Sequence, residues 1–205
     1  MPKLKLTYFD FNGGRGEANR LAMAIGDVPF EDKRIPMSEW PELKPGVRFQ
    51  ALPVLEIDGE EIAQSNAINR YVGRLGGLYP DDPLEAARCD EIMDAMEDVT
   101  NKLVPTLFLS DEEEKRKARE ALAEGPFKLY LERLGKVLEE RGGEYFADGR
   151  LTVADLRVFL WVRHLRSGAL DYVPKDLTDR LAPNLVEHFE RVNSHPAIVD
   201  WYAKH

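Results

Sequence analysis

The stretch KLKLTYFDFNGGRGEANRLAMAIG, residues 3–26, changes its period halfway along. Leu4, Leu6 and Tyr8 alternate with Lys3, Lys5 and Thr7, the two-residue repeat of a half-buried strand. Asn12-Gly13-Gly14 breaks the repeat. Glu17 to Ile25 is then rich in helix formers, and Gly26 is placed to stop the helix. Outward from there, Phe30 to Ile35 reads as a second strand, followed by a long polar loop holding Trp40, Lys44 and Phe49. Val54 to Ile57 reads as a third strand, Asp58-Gly59 as a tight hairpin turn, and Glu61 to Ala63 as the return strand. Ser65 is placed to cap a helix over Asn66 to Leu75, which Gly76-Gly77 ends. The order is βαβ and then ββα. A helical crossover joins parallel strands and a two-residue hairpin joins antiparallel ones. Residues 1–79 are therefore expected to form a small mixed sheet with helices packed on it.

Tyr79-Pro80-Asp81-Asp82-Pro83 has the composition of a linker. Beyond it the strand period disappears, and residues 84–205 are expected to form an all-helical domain. Ile92, Met93, Met96, Val99, Leu103, Leu107 and Phe108 fall at helical spacing, which predicts an amphipathic helix over Leu84 to Leu109. Pro105 should kink its last turn or end it early. Asp111 to Arg141 reads as a second helical stretch interrupted at Gly125-Pro126. Thr152-Val153-Ala154-Asp155 has the form of a capping box, with Asp in place of the usual Glu, and Leu151 and Leu156 stand at the staple positions around it. That helix should run to about Arg166, with shorter helices following from Lys175 and Pro183.

A chain of 205 residues, 43% apolar and 32% charged, is long enough to bury a core and reads as globular rather than disordered. No run approaches the ~18 apolar residues of a membrane helix, and the alternating N-terminus is no signal peptide. The single cysteine, Cys89, allows neither an internal disulfide nor a cysteine metal cluster. The cytoplasm is the default compartment. Residues 1–79 hold 10 Lys and Arg against 11 Asp and Glu, leaving 18 against 26 for the rest of the chain. The acidic second half disfavours nucleic acid as a partner, and the near-neutral first half is better placed to receive an anion.

Several chemistries are missing. There is no GxSxG, no P-loop and no HExxH, and no His or Cys pair stands at metal-ligand spacing. His164, His188, His195 and His205 all lie late in the helical half with no nucleophile in view, and each reads as an ordinary surface or core histidine. Cys89 sits between Arg88 and Asp90 without the basic cluster that lowers a thiol pKa, and reads as a packing residue. The βαββα order, with Leu52-Pro53 before the third strand, is similar to a thioredoxin fold. Thioredoxins carry CxxC after the first strand, but here that segment is Tyr8-Phe9-Asp10-Phe11-Asn12, so thiol exchange by the protein's own sulfur is not expected. On position alone, Tyr8 is either a core residue at a strand end or a catalytic hydroxyl.

A wider constellation bears on that choice. Thr7-Tyr8-Phe9, Gly13-Gly14-Arg15, Trp40 with Lys44, Ala51-Leu52-Pro53 and Gln64-Ser65 follow one another in the order and spacing of the tyrosine-type glutathione transferases, which this chain resembles over its whole length. KLTYFD, EDKRI, Trp40-Pro41-Glu42 and VLEIDGEEIAQSNAINRY are similar to the sigma class. The chain departs from that class in one extra residue before Arg15, in Ala51 where the prostaglandin-isomerising members carry lysine, and in having no tryptophan between Leu103 and Phe108. These departures argue against a prostaglandin-specific role.

The resemblance implies a glutathione transferase fold: a thioredoxin-like glutathione-binding domain (1–79) and an all-helical domain (84–205). It makes Tyr8 and Arg15 catalytic. It puts Gln64 and Ser65 at the γ-glutamyl carboxylate of glutathione, Trp40 and Lys44 at the glycyl carboxylate, and the backbone of Leu52, before a cis Pro53, against the cysteinyl part. Phe9, Gln50 and Ala51 complete the glutathione-binding set, and Asp98 would be donated across a homodimer to the glutathione ammonium. Ser65 at a helix start fits an anion on general grounds, because free amides and the helix dipole favour negative charge there. Asp98 has a second reading, as part of a solvated acidic face with Asp94 and Glu97. Those three acids could also collect a divalent ion, although none is required by the reaction.

Phe49 stands where some classes insert an aromatic key into the partner subunit. The electrophile pocket is expected near Phe11, Gly14 and Lys102 to Thr106, with Trp201-Tyr202 near it. A free thiol has a pKa of ~8.5, and lowering it by about two units takes ~2.7 kcal/mol of preferential stabilisation of the thiolate. One hydrogen bond to a charged acceptor contributes roughly 1.5–3 kcal/mol. A single aimed hydroxyl is nearly sufficient, and Arg15 could supply the rest by making that hydroxyl a better donor. The expected function is conjugation of glutathione to hydrophobic electrophiles. The alternatives are a prostaglandin H2 to D2 isomerase using the same thiolate and a non-enzymatic, crystallin-like structural protein on the same fold.

Overall fold

A computed structural model describes residues 1–205 and resolves them into two compact units, Met1–Pro80 with His195–His205, and Asp81–Ser194. No helix is long and apolar enough to cross a membrane.

The first unit is built on strands β1 (Leu4–Phe9), β2 (Glu31–Ile35), β3 (Val54–Ile57) and β4 (Glu60–Ala63) in the order β2-β1-β3-β4. β1 and β2 are parallel, while β3 is antiparallel to both β1 and β4. This is the mixed sheet that the βαβ and hairpin connections require. Leu4, Leu6 and Tyr8 are buried while Lys5 and Thr7 are half-exposed, as the two-residue period demands. Asp58 (φ 49°) and Gly59 (φ 95°) turn the β3–β4 hairpin, both with positive φ, as a twist-matched two-residue turn needs. Helix α1 (Gly14–Ile25) packs on β1, and helix α3 (Ser65–Leu75) packs on α1, β3 and β4. A single turn, α2 (Trp40–Leu43), interrupts the loop between β2 and β3. The terminal helix α10 (Pro196–Lys204), which local periodicity does not announce, lies against α1.

Two helix starts differ from expectation. α1 begins at Gly14 rather than Glu17, because its first amides have a partner in the Tyr8 hydroxyl. Ser65 is not a cap: it is the first helical residue of α3, and Gln64 takes the cap position without a side-chain bond. Gln64 has φ 74° and ψ 112°, a conformation costing of order 1–3 kcal/mol for a residue with a side chain.

In the second unit, helix α4 (Pro83–Leu103) opens on a true cap, with Asp82 accepting from the amides of Leu84 and Glu85. It ends where Pro105 tightens Val104–Phe108 into a 3-10 turn. α5 (Glu112–Leu122) continues into α6 (Lys128–Glu140) through a wide π-helical turn over Ala123–Phe127, which absorbs Gly125-Pro126. Helix α7 (Val153–Ser167) packs against α4 and is buried on nearly every side, as its apolar sequence requires. Its capping box is present, and Asp155 does more than cap. It accepts from the Thr152 amide and hydroxyl (both 2.8 Å) and the Phe146 amide (3.0 Å), and pairs with Nε2 of His188 at 3.0 Å. His188, on helix α9 (Pro183–Asn193), is thus a core histidine that ties α9 to the start of α7 through Nε2. A short helix, α8 (Leu177–Leu181), precedes α9.

Candidate active site

The strand register brings separate stretches of sequence to one end of the sheet. Thr7 at the end of β1 pairs with Val54 at the start of β3, and Val54 pairs with Ala63 at the end of β4. Phe9 pairs with Ile35 at the end of the parallel strand β2. Tyr8-Phe9, Leu52-Pro53, Gln64-Ser65 and the chain leading to Trp40 therefore all leave or enter the sheet at that end, where α1 and α3 also begin. Asn19 on α1 joins the two helix starts, since its Nδ2 donates to the Ser65 carbonyl (3.2 Å) and to Asn69 Oδ1 (2.6 Å). The Leu52–Pro53 bond is cis.

Tyr8 lies at the centre of this end. Its ring is buried against the first turn of α1, and its hydroxyl oxygen accepts the Arg15 backbone N–H at 3.0 Å. Burial pushes the phenol pKa up; the Arg15 amide, the Arg15 charge, the Gly16 amide and the Arg20 charge pull the other way without reversing it. Tyr8 is therefore a neutral phenol near pH 7. Its oxygen lone pair is engaged by an amide and its O–H hydrogen is left to donate. This sharpens the expected role of Arg15, because the group bonded to the hydroxyl is the backbone amide and the guanidinium adds only its charge.

The fit depends on glycine at two positions. A Cβ on Gly14, which has φ +66°, would lie 2.4 Å from the Tyr8 hydroxyl, and one on Gly16 would lie 2.3 Å from the ring. Gly16→Ala is expected to cost about 1–3 kcal/mol in urea unfolding through overpacking against Tyr8. A variant as stable as the parent would show that the ring has room to move.

Behind Tyr8 sits a buried charged network that no local pattern announces. The Arg20 side chain is fully buried and lies 5.6 Å over the Tyr8 ring. It donates Nε to Asp32 (2.9 Å), one terminal nitrogen to Glu17 (3.2 Å) and to the Phe11 carbonyl (3.0 Å), and the other to the Phe9 carbonyl (3.1 Å). The turn that follows Tyr8 is thus buckled at both ends by one guanidinium. Arg34 extends the network from Asp32 (2.7 Å) to Asn12 (3.0 Å). Glu17 and Arg20 stand three residues apart, the spacing of a solvent-facing ion pair, and only their burial tells the two cases apart.

Trp40 is half-buried, and its ring meets Phe9 edge-on at 5.5 Å, within a cluster that also holds Phe11 and Tyr8. Lys44, Gln50, Ala51 and Gln64 are exposed and Ser65 is buried. Phe49 is 72% exposed, and both Phe49 and Gln50 have positive φ. Asp98 lies on the exposed side of α4 in the second unit and accepts from the Tyr130 hydroxyl at 3.4 Å. Its neighbour Glu97 is held by Arg157 at 3.0 Å. Cys89 is fully buried, and burial drives its pKa up to about 11, which removes it as a nucleophile.

Comparison with known proteins finds relatives along the whole chain. Residues 4–74 match the family model of the glutathione S-transferase N-terminal domain, and residues 97–205 match that of the C-terminal domain. Glutathione S-transferase 1 of Ascaris suum is 38% identical to this chain over 100% of its length and 97% of the relative's. The hematopoietic prostaglandin D synthase of Gallus gallus is 34% identical over 100% and 97%. The solved prostaglandin synthase D of Nilaparvata lugens superposes with a TM-score of 0.89 at 31% identity, covering 100% of this chain and 98% of that one. With both halves of the chain matched by family models and relatives of this identity spanning it, the chain belongs to the glutathione S-transferase family.

Proposed function

We propose that this chain is a cytoplasmic, homodimeric glutathione transferase of the sigma class that conjugates reduced glutathione to hydrophobic electrophiles, using the hydroxyl of Tyr8 to hold the sulfur as thiolate. The observation that carries this reading is the Tyr8 hydroxyl itself: buried, neutral, and polarised by the Arg15 amide at 3.0 Å. The thiol gives its proton to water, and the Tyr8 O–H hydrogen then points at the sulfur anion without leaving its oxygen. The sulfur attacks the electrophilic carbon, forming the C–S bond as the leaving group departs with its electron pair. Tyr8 ends as it began.

The remaining roles follow from chemistry. Residues 1–79 would bind glutathione and 84–205 supply the helices that follow, the last of which, α10, packs with the first unit. The amides at the start of α3, with Gln64 and Ser65, suit the γ-glutamyl carboxylate. Trp40 and Lys44 suit the glycyl carboxylate. The Leu52 backbone would pair with the cysteinyl part like an added strand, beside Phe9, Gln50, Ala51 and Pro53. Asp98 would meet the glutathione ammonium from across the dimer. Similarity to the chicken prostaglandin D synthase favours isomerisation by the same thiolate as a second reading.

Purified protein is expected to be retained on immobilised glutathione, eluted by free glutathione, and to conjugate chlorodinitrobenzene. Failure of retention would overturn the binding roles. Turnover of prostaglandin H2 by the same preparation, without conjugation, would move the assignment to the isomerase.

A further inference from the structure

The terminal helix α10 reaches the machinery behind Tyr8 through one hydrogen bond. Trp201 Nε1 donates to Glu17 Oε1 at 3.0 Å, across 184 residues of sequence. Both side chains are buried. The indole stacks on Phe30, with ring centroids 6.1 Å apart, and on the His205 imidazole at 3.9 Å, two contacts that restrain the position of its N–H. The second oxygen of Glu17 takes Arg20, and Arg20 buckles the carbonyls of Phe9 and Phe11 that flank the turn after Tyr8. Each oxygen of the Glu17 carboxylate thus has a separate task. Without the indole N–H, one oxygen would be buried with no donor, a condition costing ~1–3 kcal/mol. The carboxylate relieves that by rotating, and the bond it gives up in rotating is the one to Arg20.

We propose that Trp201 is a positioning residue for thiol activation: it fixes the Glu17 carboxylate, which orients Arg20, which sets the turn that aims the Tyr8 hydroxyl. This rests on the reading of Tyr8 as the donor to the thiolate. The charged groups around that turn are Glu17 and Arg20 on α1, Asp32 and Arg34 on β2 and Asp10 in the turn, joined in one network, with Arg15 beside them at the Tyr8 hydroxyl. Trp201 acts on the chemistry only by ordering them.

The test is Trp201→Phe in the full chain, which keeps an aromatic ring beside Phe30 and His205 and removes only the N–H and part of the ring. Thiolate absorbance of bound glutathione, followed against pH, gives the thiol pKa. We expect that pKa to rise by about half a unit and kcat/KM at neutral pH to fall about threefold, a factor matching half a unit, while glutathione affinity moves less than twofold. On a Tyr8→Phe background, Trp201→Phe should have no further effect on the thiol pKa, because both act through one hydroxyl. If Tyr8→Phe raises the thiol pKa and Trp201→Phe does not, the role of Trp201 is overturned and that of Tyr8 stands. If Tyr8→Phe itself leaves the pKa unchanged, the reading of Tyr8 falls and this inference falls with it. Equal shifts on both backgrounds would place the action of Trp201 elsewhere and overturn the proposal. Should Trp201→Phe not fold, Glu17→Gln keeps an oxygen for the indole and weakens the hold on Arg20. It is expected to raise the thiol pKa in the same direction, and an unchanged value overturns the chain of contacts.

Discussion

Tyr8→Phe is expected to lower conjugation of chlorodinitrobenzene about 10- to 150-fold near neutral pH while changing glutathione affinity less than twofold. The range follows from one hydrogen bond to a charged acceptor, roughly 1.5–3 kcal/mol, at about 1.4 kcal/mol for each factor of ten. Binding survives because the carboxylates and ammonium of glutathione are expected to be held by other groups, among them Gln64, Ser65, Trp40 and Lys44. The pH profile separates this mechanism from general damage. Loss of a donor to the thiolate raises the pKa of the bound thiol, so the variant should recover as pH climbs toward that of a free thiol, ~8.5. The deficit is full below the parent thiol pKa and shrinks above it. A deficit constant from pH 6 to pH 9 would mean that the hydroxyl does not act on the thiol. Action of Tyr8 as a base can be set aside: burial raises the phenol pKa, and a neutral phenol already carries the proton that a base would take up.

Arg20→Met should be the most destabilising single change near the site, by about 3–5 kcal/mol, the usual cost of removing one partner from a buried ion pair. The Arg20 side chain is fully buried, and its removal takes one donor from each of two carboxylates and two carbonyls. For a chain of this size each kcal/mol moves the melting temperature by ~2–4 °C, so the midpoint should fall by about 6–20 °C. Arg20→Lys should not restore it. A lysine ammonium cannot reproduce the planar fork that meets Asp32, Glu17 and two carbonyls at once. A loss below about 1 kcal/mol in urea titrations would show that the turn after Tyr8 holds itself without the guanidinium.

What the sequence revealed and what it concealed divide by range. β1, the β3–β4 hairpin, the Gly26 stop and the Thr152–Asp155 capping box are written in residues next to one another, and periodicity and turn chemistry were enough to find them. The turn following Tyr8 was recognisable by what it lacked, a pair of cysteines. The start of α3 was misjudged by one residue, because Ser is the commoner cap and the positive φ of Gln64 leaves no mark in the sequence. A polar loop gives no sign that Trp40 is covered, because the ring it meets, Phe9, belongs to a distant strand. The group bonded to the Tyr8 hydroxyl is the backbone N–H of Arg15, which any residue but proline would supply and which side-chain identity does not disclose. Glu17, Arg20 and Asp32 carry no local sign of their role. Their pairing is buried, and burial of a charge is decided by tertiary packing that no window of sequence contains.

The unit that contains Tyr8 is discontinuous, running from Met1 to Pro80 and resuming at His195. During synthesis the strands, α1 and α3 leave the ribosome first, but α10 follows only after all of Asp81–Ser194. Closing the first unit therefore means joining the ends of a long intervening loop, at an entropic cost that is smaller once that loop is itself compact. The half of the protein made first is in this sense finished last. A nascent chain stalled before residue 195 would carry every side chain proposed to touch glutathione, yet the Glu17 carboxylate would still be waiting for its indole.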